Sequence, residues 1–345
     1  MKKMIFLAPL VALVAACGGN GSSGGASGAQ LKVVGSSTVY PFTTAVAEEF
    51  QRARPGTSVI VESTGTGAGI KLFCSGVGGE FPDMVNASRP MKASEYADCA
   101  KAGAKNIIEV PIGIDGLTLI EANEATPLKL TVKDIYAAIA ANPFGKPNTA
   151  QTWKDVNPAL PATKIRVLGP PPTSGTRDSL AELILTKGCE SDPAMKALKE
   201  NESDKHKDYC TKVREDGVYV EAGENDNLLV QKVAADPGTV GVLGYSFLEE
   251  NADKVRAVEI GGVTPTEVTI SDLSYPGARK LYVYVKGEHL AAKPAIKDFI
   301  AAYAKAWGKG GSLERRGLVP FGGADATSAT DQAAKLAPLD PAGLK

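Results

Sequence analysis

The sequence predicts an α/β protein with two lobes, each a mostly parallel sheet flanked by helices. Short apolar runs typical of strands alternate with segments of helical periodicity from residue 31 onward, in the order βαβαβ. A second alternating series begins near residue 131. Because βαβ units build parallel sheets covered by helices, two such series predict two sheets whose strand ends face each other across a cleft.

The first series contains strands in the runs LKVVG, TSVIVEST and FPDMVNAS. Helices are expected from about Pro41 to Arg54, from near Gly67, and over about 93–102. In the first of these helices, Phe42, Val46 and Phe50 fall on one face. Each strand is therefore followed by a loop that leads into a helix.

Two longer apolar runs predict the connections between the lobes. VPIGIDGLTLIEAN is long enough for a strand that crosses from one lobe to the other, and LYVYVKG is expected to return. Between them lie a helix at 131–141, the strand KIRVLG, a helix after SGTR, the helix DNLLVQKVAADPG and the strand TVGVLGY. The helix AIKDFIAAYAKAW follows the return strand. This assigns 31–113 plus 276–325 to lobe 1, 114–275 to lobe 2 and 326–345 to a C-terminal tail.

The first 16 residues have the pattern of a secretory signal, with Lys2 and Lys3 before the apolar run IFLAPLVALVAA. The residues before Cys17 are similar to a bacterial lipobox, which implies cleavage before Cys17 and lipidation of its thiol. Residues 17–30 would then form the lipidated, Gly/Ser-rich tether. Gly18 after the cysteine is compatible, by resemblance, with an outer-membrane location, so the choice of membrane stays open.

Cys74, Cys99, Cys189 and Cys210 remain once Cys17 is set aside, an even number in an exported chain. Such a number predicts two disulfides, and short sequence separations favour Cys74–Cys99 and Cys189–Cys210 among three possible pairings. A zinc site is the competing use, but no CxxC occurs and there are only two histidines. We therefore expect no metal.

Small hydroxyl residues and glycines fill the loops after the predicted strands, at 35–41, 63–69, 86–91 and 174–177. The last of these, SGTR, precedes a segment with Leu180, Leu183 and Ile184 at helical spacing, which we expect Gly188 to close. Hydroxyls, backbone N–H groups and arginine at a helix start favour an oxyanion. The alternative is that each loop merely caps a helix.

The motifs GSSTVYP, TGTGAGIK, DMVNASRP, SGTR, PGTVGVLGY and SYPGARKLYVYV resemble, in order and spacing, the PstS family of phosphate-binding proteins of ABC transporters. The resemblance covers residues 31–322. It implies a type II periplasmic binding protein fold with phosphate in the interlobe cleft. The phosphate ligands it implies, together with neighbouring loop residues, are Ser37, Thr38, Val39, Thr66, Ser88, Arg89, Ser174, Gly175, Thr176 and Arg177.

Two positions depart from the best-known members of that family. Arg89 stands where those members have an aspartate that accepts the phosphate proton, and Pro170 stands where they have an arginine. Selection of phosphate over sulfate is therefore open, because a carboxylate is what penalises an anion without a proton. Asp83 and Asp115 are second candidates for that role, although Asp83 is also expected to end a strand and Asp115 to orient the hinge or an arginine.

An enzymatic function is disfavoured. The chain has no GxSxG elbow and no GxxxxGK[ST] loop, and its two histidines, His206 and His289, are expected to face solvent. A net charge of −1 leaves no basic footprint for nucleic acid. The sequence predicts a monomeric, cofactor-free lipoprotein, in the periplasm or on the cell surface, that delivers phosphate to an ABC permease. The alternatives are a signalling or interaction lipoprotein, and a binder of another oxyanion or a small organic ligand.

Overall fold

The computed structural model describes residues 30–223 and 225–344. The predicted signal peptide at 1–16, Cys17 and the tether up to residue 29 lie outside the described residues. The first series of elements, in chain order, is β1 (Gln30–Gly35), α1 (Tyr40–Ala53), β2 (Ser58–Ser63), α2 (Thr66–Phe73), β3 (Met84–Ala87), α3 (Ala93–Lys101) and β4 (Ile107–Ala122).

The second series begins with the short strand β5. In chain order it comprises β5 (Lys129–Leu130), α4 (Val132–Ile139), α5 (Trp153–Val156), β6 (Val167–Gly169), α6 (Gly175–Ser179), α7 (Thr186–Cys189), α8 (Pro193–Asn201), α9 (Ser203–Thr211), β7 (Tyr219–Glu221), α10 (Asp226–Ala235), β8 (Val240–Gly244), α11 (Tyr245–Glu250), β9 (Val255–Ala257), β10 (Glu259–Ile260) and α12 (Glu267–Ser271). A π-helical stretch, Leu180–Leu185, joins α6 to α7. The helix predicted after SGTR thus runs to Cys189, one residue past the predicted stop.

The chain then returns through β11 (Ala278–Lys286), α13 (Ala295–Ala306) and α14 (Gly323–Lys335). Helix α14 lies where the sequence suggested only a tail from residue 326. Its Ala329 and Ala333 are buried against the core of the first lobe, which includes Ile300 and Leu318. Small side chains every four residues let this helix pack closely, and this is why a weakly apolar segment is helical.

The sheet of the first lobe has the strand order β2-β1-β3-β11-β4. Strands β1, β2 and β3 are parallel, and β11 runs antiparallel to both β3 and β4. Its helix α1 buries Phe42, Val46 and Phe50, as their spacing predicts. The predicted βαβαβ order is confirmed for this lobe.

Strand β4 belongs to both sheets. It is 16 residues long, pairs with β11 up to Gly116, and pairs with β8 from Leu117 onward. Strands β8, β6 and β7 continue the second sheet in parallel, and β9 pairs with the end of β4. The second sheet packs around a core of its own, separate from the first lobe's clusters. The predicted two-lobed α/β fold and its crossing strand are therefore confirmed.

Disulfides join Cys74 to Cys99 and Cys189 to Cys210, which confirms the pairing that short sequence separation favours. The first ties the end of α2 to α3 in the first lobe. The second ties α7 to α9 in the second lobe. Each bond therefore lies within one lobe and does not restrict movement between the two. Within the described ranges, no helix combines the length and apolar character needed to span a bilayer.

Candidate functional site: the interlobe cleft

The carboxyl ends of β1, β2 and β3 bring three hydroxyl-rich loops of the first lobe together. Glycine permits this approach. Gly35 ends β1 with φ +126°, and a Cβ there would lie 2.9 Å from the backbone nitrogen of Asn86. Gly69 at the start of α2 packs against the backbone of Gly35. Larger residues at these two positions would therefore push the loops apart.

Thr66 and Ser88 form the inner part of this cluster. The Thr66 Oγ1 and Ser88 Oγ atoms are 3.0 Å apart, and the Ser88 N–H donates to Thr66 Oγ1 at 3.1 Å. Both residues are buried. Val39 is also buried, and its backbone N–H donates to the hydroxyl of Ser36 at 3.4 Å.

The second lobe meets this cluster with its SGT sequence. Ser174 caps α6, its Oγ accepting from the Thr176 N–H at 3.2 Å. The Thr38 hydroxyl donates to the Gly175 carbonyl at 3.2 Å, and a Cβ on Gly175 would lie 2.8 Å from Thr38 Cα. Only glycine therefore allows the two lobes to come this close.

A cavity of about 360 Å³ lies between the lobes at this contact. Five of the predicted ligands line it: Ser37, Thr38, Ser174, Gly175 and Thr176. Asp115, Pro170 and Ser179 also line it, and Tyr40, Phe247 and Arg316 lie around it. Val39, Thr66, Ser88, Arg89 and Arg177 are not among the residues that line this cavity.

Both arginines that the sequence singled out are engaged with their own lobe. The Arg89 guanidinium binds Glu95 through two hydrogen bonds, of 2.9 and 2.7 Å. Arg177 donates to the Pro170 carbonyl at 3.1 Å and stacks 4.7 Å from the centre of the Tyr219 ring. Burial raises the pKa of Tyr219 to about 12, so the ring is neutral at physiological pH.

Arg279, which the sequence did not single out, places a buried positive charge beside two residues that line the cavity, Thr38 and Ser179. It is 9% exposed, and its Nη2 donates to the hydroxyls of Thr38 and Ser179, both at 2.9 Å. Its Nε donates to Asp115 at 3.1 Å, and its Nη1 binds Glu182. Arg279 is paired directly opposite Asp115 across strands β11 and β4. This pairing brings Arg279 to Asp115, but the register of two strands so distant in sequence cannot be derived from the residues alone.

Within the part of the chain that the structure describes, three carboxylates accept hydrogen bonds from serine hydroxyls where the lobes meet. Asp115 accepts from Ser179 Oγ at 2.7 Å. Asp178 accepts from Ser37 Oγ, and Glu182 accepts from Ser88 Oγ at 3.2 Å. Burial raises the pKa of Asp178 above its ordinary value, with a further upward contribution from the charge of Glu182. Asp115 was a candidate from the sequence, whereas Asp178 and Glu182 were not.

Asp83 does not reach the cleft, which corrects its place among the second candidates. It immediately precedes β3 rather than ending a strand, so it lies at the opposite end of the strand from Ser88. It is fully buried, where it binds His289 Nδ1 at 2.6 Å and Lys293 Nζ at 2.9 Å.

Both histidines are buried, so the expectation that they face solvent is wrong. His289 is 5% exposed and His206 is 8% exposed. His206 lies in a charged run, but its Nε2 is 3.0 Å from a carboxylate oxygen of Glu190, which gives the ring a partner away from water. Over residues 30–223 and 225–344, no cluster of histidine, cysteine or acidic side chains could hold a metal ion.

Two lobes, a shared crossing strand and a cleft lined by hydroxyl groups define a solute-binding protein of the two-lobed kind. A family model described as a PBP superfamily domain matches residues 20–304. The protein SphX of Synechococcus elongatus is 35% identical over 308 residues, covering 86% of this chain and 79% of SphX. The phosphate-binding protein PstS of Staphylococcus saprophyticus is 31% identical over 336 residues, covering 94% of this chain and 90% of that protein.

The chain belongs to the PBP superfamily and, within it, to the PstS-like proteins. Among solved structures, a possible phosphate-binding protein from Planctomyces limnophilus is similar, with a TM-score of 0.73 and 30% identity over 89% of this chain and 98% of that one. The type II fold predicted by resemblance is thereby confirmed. The family consists of substrate-binding transport proteins, so the chain is an extracytoplasmic solute-binding protein and not an enzyme.

Proposed function

We propose that this protein binds inorganic phosphate in the interlobe cleft and delivers it to the permease of an ABC transporter. The observation that carries the proposal is the convergence of hydroxyl donors from both lobes, Ser37 and Thr38 from one and Ser174 and Thr176 from the other, on a single cavity. The similarity of this chain to a phosphate-binding PstS protein, over 94% of its length, supports the choice of ligand.

Neutral donors suit a dehydrated oxyanion, because hydroxyl and backbone N–H groups satisfy its oxygens without the desolvation cost of several cations. We propose that the residues lining the cavity contact the ligand directly. Val39, Thr66 and Ser88 complete the first-lobe side of the site. Arg89 and Arg177 act on the ligand through their charge, and Arg279 supplies the buried guanidinium beside Thr38.

Binding would proceed by closure of the lobes. An anion held by the first-lobe loops gains the donors of Ser174 and Thr176 only when the second lobe approaches. The closed state is therefore stabilised by the difference in contacts between the two states. Lobe boundaries at residues 113/114 and 275/276 fit this movement, since they flank the places where β4 and the chain before β11 pass from one lobe to the other.

We further propose that the exported protein is a monomer anchored to a membrane by a lipid on Cys17, facing the periplasm or the cell surface. The signal-like run before Cys17 and the Gly/Ser tether after it support this placement. Mass spectrometry of the protein from membrane fractions would test this placement. A chain that still begins at Met1, or a Cys17 without lipid, would contradict the anchor.

Isothermal titration tests the ligand. Protein stripped of anion by partial unfolding and refolding should bind one phosphate per chain, and excess sulfate should not abolish the signal. Gly175→Ala should weaken binding at least tenfold without loss of fold, because its Cβ obstructs the approach to Thr38. Gly308→Ala, where a Cβ meets no atom within 4 Å, is the matched control. No heat with phosphate would contradict the proposal.

A further inference from the structure

We propose that Asp178 and Glu182 act as an internal competitor for the anion site. Their carboxylates bind the hydroxyl groups of Ser37 and Ser88, and an incoming oxyanion must displace them to reach these donors. The identity of the oxyanion rests on the proposed function, but the bonds between the lobes do not.

The geometry places both carboxylates on the same side of one helix. Asp178 and Glu182 are four residues apart in the helical segment that follows SGT, so their side chains project in the same direction. Ser37 follows β1 and Ser88 follows β3, and both belong to the first lobe. The second lobe therefore contacts the first at two hydroxyls through two carboxylates, of Asp178 and of Glu182.

A carboxylate and an oxyanion present the same kind of acceptor atom to a hydroxyl donor. A serine hydroxyl has one proton to donate, so Ser37 and Ser88 cannot serve a carboxylate and a ligand oxygen at the same time. Glu182 also binds Arg279, the buried guanidinium of the cleft. The internal acceptors thus use the same donors that an anion would need.

The charge balance also favours displacement over addition. Among the described residues, Asp115 and Glu182 contact Arg279, and Asp178 binds the hydroxyl of Ser37, so three carboxylates lie close to the donors that an anion would use. Arg89 and Arg177 are held by other partners, Arg89 by Glu95 and Arg177 at Pro170, whereas Arg316 lines the cavity. These carboxylates repel an incoming anion, and the repulsion falls when one of them withdraws.

Glu182 is able to withdraw. Its side chain is 52% exposed, whereas that of Arg279 is 9% exposed. The glutamate side chain can therefore rotate toward solvent, where its charge is hydrated, and leave the guanidinium to the ligand. Asp178 is less exposed, and burial already raises its pKa, so its charged form is less stable in this place. Both carboxylates are acceptors that a ligand can replace.

The test compares Asp178→Ala, Glu182→Ala and the double variant with the wild-type chain. Glu200→Ala, an exposed glutamate on α8, is the matched control. Titration with inorganic phosphate should show a Kd at least tenfold lower in the double variant, intermediate values in the single variants and no change in the control. Small-angle scattering without phosphate should show a larger radius of gyration for the double variant, because three bonds between the lobes, to Ser37, Ser88 and Arg279, are missing.

An unchanged or higher Kd in a folded double variant overturns the proposal, since the carboxylates would then be neutral toward the ligand or part of its binding. Asp178→Asn with Glu182→Gln, which preserves side-chain shape, decides the matter if the alanine variants unfold. Failure of all variants and of the wild type to bind phosphate would contradict the proposed function instead. In that case the scattering comparison still decides, and an unchanged radius of gyration overturns the competitor.

Discussion

Strand β11 places a buried cation near each of its ends, and the two differ in where their partners come from. Arg279, near the start, contacts Thr38 and Asp115 and also reaches Glu182 of the second lobe. Lys286, at the end, donates to the Gly76 carbonyl at 2.6 Å and lies over the rings of Phe73 and Phe81.

The far cluster is closed within the first lobe. Asp83, His289 and Lys293 lie beside Lys286, and all belong to the lobe that contains β3 and α13. Burial lowers the pKa of Lys286 to about 8, although the charge of Asp83 opposes that shift. The comparison teaches that a buried charge indicates a ligand site when its partners lie on units that can separate. A buried charge whose partners all belong to one rigid unit indicates a structural role.

The largest effect is expected from Arg279→Met. Its removal leaves the partly buried Asp115 without its cation, which should lower the free energy of unfolding by up to about 3 kcal/mol. Phosphate binding should be lost as well. Urea denaturation and titration measure the two effects. Lys280→Met, at the partly exposed neighbour paired with Asp325, is the control; it should keep phosphate binding and change the free energy of unfolding by less than about 1 kcal/mol. Phosphate affinity that survives in a folded Arg279→Met variant would remove the cleft cluster from the binding site.

Asp83→Asn should separate stability from binding. It leaves His289 and Lys293 beside a neutral amide, so the free energy of unfolding should fall by about 2–3 kcal/mol. The Kd for phosphate should stay within twofold of wild type, because no partner of Asp83 lies in the cleft. A large loss of affinity at unchanged stability would mean that the two ends of β11 are coupled.

Lys286→Met tests the scaffold cluster through pH. Between pH 8 and the lysine's ordinary value of 10.5, the folded chain has lost the proton that the unfolded chain still holds. The free energy of unfolding of the wild type should therefore rise with pH relative to the variant, by about 2 kcal/mol from pH 8 to 10. Denaturation at each pH measures this difference, in which the contributions of the tyrosines cancel. A difference that stays flat would contradict the lowered pKa.

The smallest effect is expected from Arg89→Gln. Its guanidinium is held by Glu95 in a partly exposed pair, so the variant should weaken phosphate binding about threefold, through loss of a nearby charge only. Glu95→Gln is the companion variant, since it releases the guanidinium without removing it. A loss above thirtyfold in Arg89→Gln would show that Arg89 leaves Glu95 to contact the ligand.

Much of the fold could be predicted from sequence because its signals are local. Strand and helix periodicity, the length of the crossing strand and the even number of cysteines each depend on neighbouring residues. The hydroxyl loops could be found because the carboxyl ends of parallel strands share one edge of a sheet. Arg279 could not be found in this way, because its place depends on a register between strands about 160 residues apart in sequence. The burial of His289 depends on Asp83, which is 206 residues away in sequence, and small alanines gave helix α14 no visible apolar stripe.

Strand β4 also determines how the molecule should come apart. Its 16 residues complete the sheet of the first lobe and, beyond Gly116, that of the second. If one lobe unfolds and β4 leaves its sheet, the core of the other lobe loses part of the same strand and exposes apolar surface. Two lobes joined only by a flexible linker would melt separately, but a shared strand couples their melting. Calorimetry should therefore record one cooperative transition for the whole globular chain, in which the lobes move as two bodies but unfold as one.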